Sequence, residues 1–486
     1  MLFNSLHFLL FFPVICLVYF RIPSKLKNYW LLIASCYFYL AFNPAYIFLM
    51  MFIIAVTYAS GIIIEKYEKQ KKITAAAAVI ICIFILGFFK YYNFFTYFTN
   101  NAFGIFGINI SFPSFDFIMP LGISFYTFQA ISYTVDVYRK KTEPLHNFAG
   151  YALFVSFFPN MVSGPIQKSH EFLPQLKKSH LHRFNYDRVK NGLILMLWGF
   201  FCKMVVADRL AIAVNAVFDA PGDFSGLQIF VSVILFSIQI FIDFNSYSDI
   251  AIGASRILGF DFKSNFLRPY FSKSIKEFWR RWHISLSSWF RDYLYFPLGG
   301  NRKGKTRTYI NTMVVFIVSG LWHGASGTFI LWGTLHGSFL IIGQLTETLR
   351  RKILPENSKI RKNIVFRTAS VLFVFSLVSF SWIFFRANSF DDSLTIIKNA
   401  FDFSKGLSLW QLFALKLSAN EFFLCFFGIG LIFLINLYQC KHSIDLKISQ
   451  LHVFFRWLIY IAFIMAIIIF GIYGTETSQQ FIYVQF

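Results

Sequence analysis

One histidine stands in the middle of a long stretch of sequence without charge. His323 lies between Asn311 and Gln344, a span with no Lys, Arg, Asp or Glu, and three glycines lie within four residues of it. An imidazole titrates near neutral pH and can take a proton from a hydroxyl group as a general base. A histidine that only bridges helices needs no glycines beside it, so the pattern favours a reactive role. Trp322 is a candidate lining residue of this site, whereas His336 is expected to be structural.

A second group of candidates lies in SIKEFWRRWHISLSSWFRDYLYFPLGG, residues 274–300. Apolar residues recur there at spacings of three and four, which predicts an amphipathic helix at the head-group level of a membrane. His283 follows Trp282 near the apolar side, and Arg280 and Arg281 precede both. We expect these residues to border a site for an anionic donor, such as a coenzyme or carrier phosphate. The alternative is a helix that only anchors the chain at the surface.

A third group interrupts an apolar run in QIFIDFNSYSDIAIG, residues 239–253. Asn245 and Asp249 are four residues apart and share one face of a helix, whereas Asp243 points elsewhere. Polar groups inside a membrane segment usually face a cavity or a partner. The sequence leaves two interpretations open: these side chains line an internal passage, or they hold helices together by hydrogen bonds.

Other kinds of chemistry lack support in the sequence. The chain has no phosphate-binding loop, no nucleophile elbow and no paired metal ligands at a known spacing. The six cysteines are scattered without a C-x-x-C spacing, which indicates neither a disulfide framework nor a zinc site. We therefore expect no metal at the site.

The composition decides which elements must carry these residues. The chain is 57% hydrophobic and 14% charged, whereas soluble domains are about a quarter charged. Apolar runs long enough to span a bilayer recur along the whole sequence. They predict an all-α polytopic membrane protein, a single domain over 1–486. We expect roughly 11–13 transmembrane or re-entrant helices, amphipathic interfacial helices, and a retained first helix at 2–20.

The basic residues predict the topology. Lys and Arg gather in short loops, most densely at 263–307, as the positive-inside rule expects for cytoplasmic loops. The net charge of +22 is then explained by contact with lipid head groups, and no nucleic-acid partner is expected. The run 309–347 is predicted to form a hairpin entered from the cytoplasm, with its turn beside His323. A re-entrant piece is predicted at 148–165, and the tail 474–486 is predicted outside.

Several of these segments together resemble the membrane-bound O-acyltransferase (MBOAT) family, most closely its bacterial alginate O-acetyltransferase-like branch. The matching segments are MLFNSLHFLLFFPV, MVSGPIQ, DFNSYSDIAIG, FWRRWHISLSSWFRDYLYFPLGGNR, GLWHGASGTFILWGTLHG and the ending FIYVQF. They extend from the first residue to the last.

The resemblance implies helices around a central pore and an acyl transfer through it. A cytoplasmic donor, acetyl-coenzyme A or a carrier-protein thioester, supplies the acyl group, and no cofactor is tightly bound. The family's near-invariant histidine falls on His323 and its second histidine on His283. The ending F-x-Y-x-x-F resembles an acyl-relay motif, which makes Tyr483 a candidate acyl carrier.

The implied acceptor is an extracytoplasmic polysaccharide, reached from a bacterial cytoplasmic membrane, with an extracytoplasmic SGNH-type acyltransferase as partner. Two alternatives stay open at this point. One is a transferase of D-alanyl or other acyl groups for teichoic-acid-type polymers. The other is a membrane transporter or scaffold without chemistry.

Overall fold

The computed structural model describes residues 1–105, 107, 112–115, 119–355, 358–402, 404, 415–440, 447–448 and 450–473. These residues form helices and connecting turns, and no β-strand occurs among them. The helices are α1 (Leu6–Arg21), α2 (Lys27–Leu40), α3 (Ile47–Lys66), α4 (Lys71–Ile105), α5 (Ile123–Tyr138), α6 (Phe148–Ser156), α7 (Phe158–Met161), α8 (Ser169–Lys177), α9 (Tyr186–Phe200), α10 (Asp208–Asp219), α11 (Gly226–Ile257), α12 (Ile275–Arg281), α13 (Ile284–Phe290), α14 (Gly304–His323), α15 (Gly327–Leu345), α16 (Glu347–Ile353), α17 (Lys359–Lys362), α18 (Ile364–Arg386), α19 (Phe390–Asn399), α20 (Ala419–Tyr438) and α21 (Val453–Phe470).

Long apolar helices confirm the predicted class. Within the described ranges, seven helices are long and apolar enough to cross a membrane: Pro44–Lys66, Glu68–Ile105, Gly226–Ile257, Gly327–Leu345, Ile364–Arg386, Ala419–Tyr438 and Val453–Phe470. The protein is therefore an all-α, multi-pass membrane protein. The sequence has apolar runs at 73–89 and 91–110 on either side of Lys90. The 35-residue α4 continues through Lys90 and ends at Ile105, so one helix spans the first run and the second as far as that residue.

The predicted hairpin at 309–347 is present as α14 and α15. The chain leaves the helical conformation at Gly324 and re-enters it at Gly327. Glycines let the two arms pack closely, as small residues do between membrane helices. A Cβ atom on Gly320 would lie 2.2 Å from the Phe329 carbonyl oxygen. His323 is consequently fixed at the end of one arm, directly against the other.

The segment that follows α5 is short, broken and buried, as a re-entrant piece would be. Helix α6 has nine residues, about 14 Å of length, which is too short to cross a bilayer. The chain then turns at Phe157 into the four-residue α7. All residues from Gly150 to Ser169 are buried, which is the condition under which irregular backbone persists at membrane depth.

The segment 274–300 differs from the predicted single amphipathic helix. It consists of α12 and α13, separated by Trp282 and His283, and continues into a π-helical turn at 291–295. His283 has a left-handed backbone with a φ of 41°, which a continuous α-helix does not allow. The apolar spacing runs across this break, and so the pattern alone gave no sign of it.

The loop after α7 is locked to α13 and the turn that follows it. The Ile166 backbone N–H donates to the Ser285 hydroxyl at 3.0 Å, and Lys168 forms a 2.5 Å ion pair with Asp292. Burial opposes ionisation of Asp292, but hydrogen bonds from Arg291 and Lys168 hold its pKa below the usual range. These contacts fix the MVSGPIQ segment against the block that carries His283.

The close packing of α14 and α15 predicts a stability difference between two glycines of α15. A Cβ on Gly333 would lie 2.2 Å from the Phe316 carbonyl oxygen, whereas a Cβ on Gly343 meets nothing within 4 Å. We expect Gly333→Ala to destabilise the purified protein by about 1–3 kcal/mol through overpacking. Gly343→Ala is the matched control and should keep or slightly raise the Tm. Equal Tm values for both variants in detergent would contradict the close contact.

Candidate active site

His323 is the last residue of α14 and lies in an aromatic enclosure. Its side chain is buried, with 4% exposed. The imidazole ring centroid lies 4.8 Å from that of Trp322, 5.0 Å from Trp332 and 5.0 Å from Phe385. The hairpin partner α15 supplies Trp332, and α18 supplies Phe385. Three helices therefore hold the imidazole in one place.

The end of α14 is capped by side chains of α4. Lys90 donates from its Nζ atom to the Trp322 carbonyl oxygen, and the Tyr91 hydroxyl donates to the Leu321 carbonyl oxygen. The last carbonyls of a helix lack partners inside the helix. Lys90 was not among the residues singled out from the sequence. The available signal was its position as the one charged residue between the apolar runs 73–89 and 91–110.

A small cavity borders the His323 side chain. Its volume is about 40 Å³, and it is lined by Lys90, residues 119–125, Val162, Trp322 and His323. That volume holds about three water molecules. Gly122 stands at the start of α5 with a φ of 68°, and a Cβ there would lie 2.0 Å from the Met161 carbonyl oxygen. Only glycine fits that position, which brings the MVSGPIQ segment to the cavity wall.

His283, like His323, lies next to Trp322. It is 1% exposed, and its ring centroid is 6.1 Å from that of Trp322 and 4.7 Å from that of Phe244. The backbone beside it pairs with a neighbouring loop, because the Ile284 N–H donates to the Asn265 carbonyl at 2.9 Å. This pairing holds the left-handed conformation of His283. Both predicted histidines thus contact the same tryptophan from two separate elements.

Trp282 and His336 belong to the aromatic packing behind the two histidines. Trp282 is 1% exposed and lies 5.1 Å from Trp382 between ring centroids. His336 is fully buried, accepts from Trp279 Nε1 at 3.3 Å and lies 2.8 Å from the Ser381 hydroxyl through Nε2. With both ring nitrogens hydrogen-bonded within the protein, His336 has the structural environment expected from the sequence.

Asp243 takes part in a buried ion cluster away from the His323 cavity. Lys203, in a π-helical segment at 201–207, contacts Asp243 at 2.5 Å and Asp208 at 2.7 Å. Each of the three residues is at most 2% exposed. The contacts join the π-helical segment, α10 and α11, so the geometry of Asp243 matches the helix-holding interpretation.

Asn245 and Asp249 lie in a second, larger cavity. They are hydrogen-bonded to each other at 2.8 Å and line a space of about 330 Å³ between α9, α11, α20 and α21. Arg256 and Arg268 line the same space. The Phe266 ring on its wall lies 6.4 Å from the His283 ring, so the two cavities are separated by the aromatic residues around His283.

Of the two remaining arginines, Arg281 contacts a lining residue of this second cavity. Arg281 donates to Glu277 at 2.6 Å and to the Arg268 carbonyl at 3.4 Å. Arg280 is exposed. Tyr483 and the tail 474–486 lie outside the described residues, which end at Tyr473. Next to that end, Ile472 donates its backbone N–H to the Met204 carbonyl at 3.1 Å.

The arrangement is suited to proton transfer at a small cavity. A buried imidazole at a cavity can accept the proton of a hydroxyl nucleophile, as acyl transfer requires. In the part of the chain that the structure describes, no group of three His, Cys, Asp or Glu side chains could hold a metal ion.

Comparison with known proteins assigns the family. Residues 140–385 match the model of the membrane-bound O-acyltransferase family, MBOAT. A probable alginate O-acetylase of Azotobacter vinelandii is 36% identical over 410 residues, covering 83% of this chain and 78% of that protein. This chain belongs to the MBOAT family. It is an O-acyltransferase, and its predicted resemblance is confirmed.

Two further relatives differ in how much of this MBOAT protein they cover. A peptidoglycan O-acetyltransferase of Helicobacter pylori is 34% identical over 454 residues, covering 87% of this chain and 83% of its own length. A teichoic acid D-alanyltransferase of Bacillus subtilis is 30% identical over 260 residues, covering 50% of this chain and 64% of its own length. His283 and His323 lie within the family match, whereas Lys90 lies before it.

The buried ion cluster of this MBOAT protein predicts a strong dependence of folding on Lys203. Lys203→Met would leave Asp208 and Asp243 buried without their cation, at a cost of about 3–5 kcal/mol. We expect the variant to be nearly absent from the monodisperse fraction in size-exclusion chromatography. Lys190→Met is the matched control, because Lys190 pairs with Asp187 at 2.8 Å near the surface and such pairs contribute little. Wild-type yield and Tm for Lys203→Met would show that the cluster is dispensable.

Proposed function

We propose that this protein transfers an acetyl group from a cytoplasmic thioester donor to an extracytoplasmic polysaccharide. His323 would act as the general base. The observation that carries the proposal is the position of His323. It stands at the break of a hairpin, buried, beside a cavity, in a chain of the O-acyltransferase family. The protein would act in the bacterial cytoplasmic membrane, with its tail 474–486 outside.

The choice of acetyl rests on the relatives. Those named for O-acetylation of alginate and peptidoglycan match more than four-fifths of this chain, whereas the D-alanyltransferase matches half of it. D-alanyl transfer to a teichoic-acid-type polymer is therefore the second candidate. Family membership removes the alternative of a transporter or scaffold without chemistry.

The reaction that His323 would support is an acyl transfer that balances without a cofactor. The hydroxyl oxygen of the nucleophile attacks the thioester carbonyl carbon while its proton passes to the imidazole. The carbonyl π electrons move to oxygen and return when the carbon–sulfur bond breaks. The leaving thiolate takes the proton back from His323, which gives a thiol and an oxygen ester.

The donor would be acetyl-coenzyme A or a carrier-protein thioester. Both donors carry phosphate, and Arg256 and Arg268 line the second cavity close to the most basic loop of the chain. Guanidinium groups form paired hydrogen bonds with phosphate. The wall of that cavity reaches Phe266, beside His283, and so supports an approach of the donor from this side.

The outer half of the transfer would use Tyr483 and a partner protein. A phenol has a pKa near 10, so it is deprotonated more easily than a sugar hydroxyl, and its ester is more reactive toward further transfer. Tyr483 would accept the acyl group and pass it on. An extracytoplasmic SGNH-type acyltransferase would complete the transfer to the polysaccharide.

We expect His323→Ala to abolish acylation of the cell-envelope polysaccharide, because the imidazole is the proposed acceptor of the nucleophile's proton. Mass spectrometry of the polysaccharide from cells with the wild-type or the variant protein measures this, and the mass of the lost group identifies it as acetyl or D-alanyl. His180→Ala, at an exposed histidine, is the matched control and should retain acylation. Full acylation by correctly inserted His323→Ala would refute the general-base role.

We expect Tyr483→Phe to reduce polysaccharide acylation by at least about 100-fold, since removal of a nucleophilic hydroxyl removes the covalent step. Protein-level mass spectrometry of the wild type should find the acyl group on the C-terminal peptide. The control is Tyr473→Phe, ten residues earlier. Unchanged acylation by Tyr483→Phe would leave the tail as a docking segment without a relay function.

A further inference from the structure

Lys90 shares a cavity with His323, the proposed general base. Lys90 lies in the middle of α4, nineteen residues after Lys71, and His323 lies nineteen residues after Gly304, the first residue of α14. Both helices begin at basic loops. Nineteen residues of α-helix span about 28 Å, so each side chain lies about that far along its helix from a basic loop. Lys90 and His323 line the same cavity.

Capping alone does not require a lysine at this position. The neighbouring Tyr91 caps the Leu321 carbonyl with a neutral hydroxyl, whereas Lys90 caps the Trp322 carbonyl with a group that can carry positive charge. Ionisable residues inside membrane segments are costly and usually mark function. Among the described residues, no carboxylate forms an ion pair with Lys90, although its ammonium group has three donors.

We propose that Lys90 forms an oxyanion site with the first turn of α5 and stabilises the tetrahedral intermediate of acyl transfer. This inference rests on the proposed function. In the intermediate, the thioester carbonyl oxygen carries the negative charge, and the proton of the nucleophile resides on His323. An oxygen held in the cavity would lie between the ammonium group and the imidazolium, and the low dielectric of the surrounding buried side chains strengthens both attractions.

The start of α5 adds a second source of positive potential. Residues 122–125 line the cavity, and α5 is sixteen residues long. The Ile123 and Phe125 N–H groups bond to the Pro120 and Gly122 carbonyls, while no backbone acceptor is recorded in the described chain for the Ser124 N–H. A helix N-terminus attracts negative charge. The oxyanion site therefore combines one side-chain cation with one helix terminus.

The test separates the charge of Lys90 from its capping bond. Lys90→Gln keeps a donor for the Trp322 carbonyl but removes the charge, and Lys90→Arg keeps the charge. We expect kcat for Lys90→Gln to fall by about 100-fold or more with a KM for the donor within about threefold, and Lys90→Arg to retain at least about a tenth of kcat. The full-length purified protein is assayed together with an extracytoplasmic SGNH-type acyltransferase, with acetyl-coenzyme A as donor and alginate oligomers or peptidoglycan fragments as acceptor.

Two comparators make the result decisive. Lys72→Met, at an exposed lysine in the same helix, should leave kcat unchanged, and Tyr91→Phe should lower the Tm with at most a few-fold effect on kcat. If Lys90→Gln does not fold, the kcat of Lys90→Arg tests the proposal instead. A kcat for Lys90→Arg as low as that of His323→Ala overturns the proposal. Folded Lys90→Gln with wild-type kcat also overturns it. A wild-type protein that transfers no acetyl group refutes the proposed function instead.

Discussion

The structure depends on how the end of α14 is satisfied inside the protein. A helix that stops within a membrane leaves carbonyl oxygens that water cannot reach, and each unsatisfied group costs several kcal/mol. Here α4 supplies the missing donors through Lys90 and Tyr91. The helix can therefore end at His323, and the imidazole faces a cavity instead of the next helical turn.

That constraint explains several features that otherwise look unrelated. Helix α4 must be long and continuous, because its middle residues have to reach the end of α14. The hairpin arms must be close, and Gly320 allows the approach to the Phe329 carbonyl. Gly122 must lack a side chain so that α5 begins beside the Met161 carbonyl. Each requirement applies to a different segment, but these segments together surround one site.

The sequence predicted the parts of the site that depend on local pattern. Charge distribution and length gave the α14–α15 hairpin, and glycine spacing located its break next to His323. Lys90 was missed because its role depends on a contact across 232 residues of sequence. His283 was expected on a continuous helix, yet pairing with Asn265 breaks that helix, and periodicity carries no information about such pairing.

The carboxylates of α11 illustrate the same limit. The spacing of Asn245 and Asp249 correctly indicated a shared face, and the structure adds a hydrogen bond between the two side chains. The same spacing placed Asp243 on a different face of the helix. It could not identify the partner of Asp243, because Lys203 lies forty residues earlier, within an apolar run. Helical spacing identifies neighbours on one helix, whereas the partner of a buried charge is supplied by the helix packed against it.

Burial also constrains the chemistry that the site can perform. A low-dielectric interior tolerates a charge only when an opposite charge or hydrogen bonds compensate it. In the proposed reaction the proton taken by His323 returns to the leaving thiolate, so one complete transfer leaves no net charge behind. The two charges that the reaction itself creates exist only in the intermediate, where the oxyanion would lie between the imidazolium and the Lys90 ammonium group. A site enclosed by Trp322, Trp332 and Phe385 is compatible with such a cycle because it needs no proton exchange with water during the chemical step.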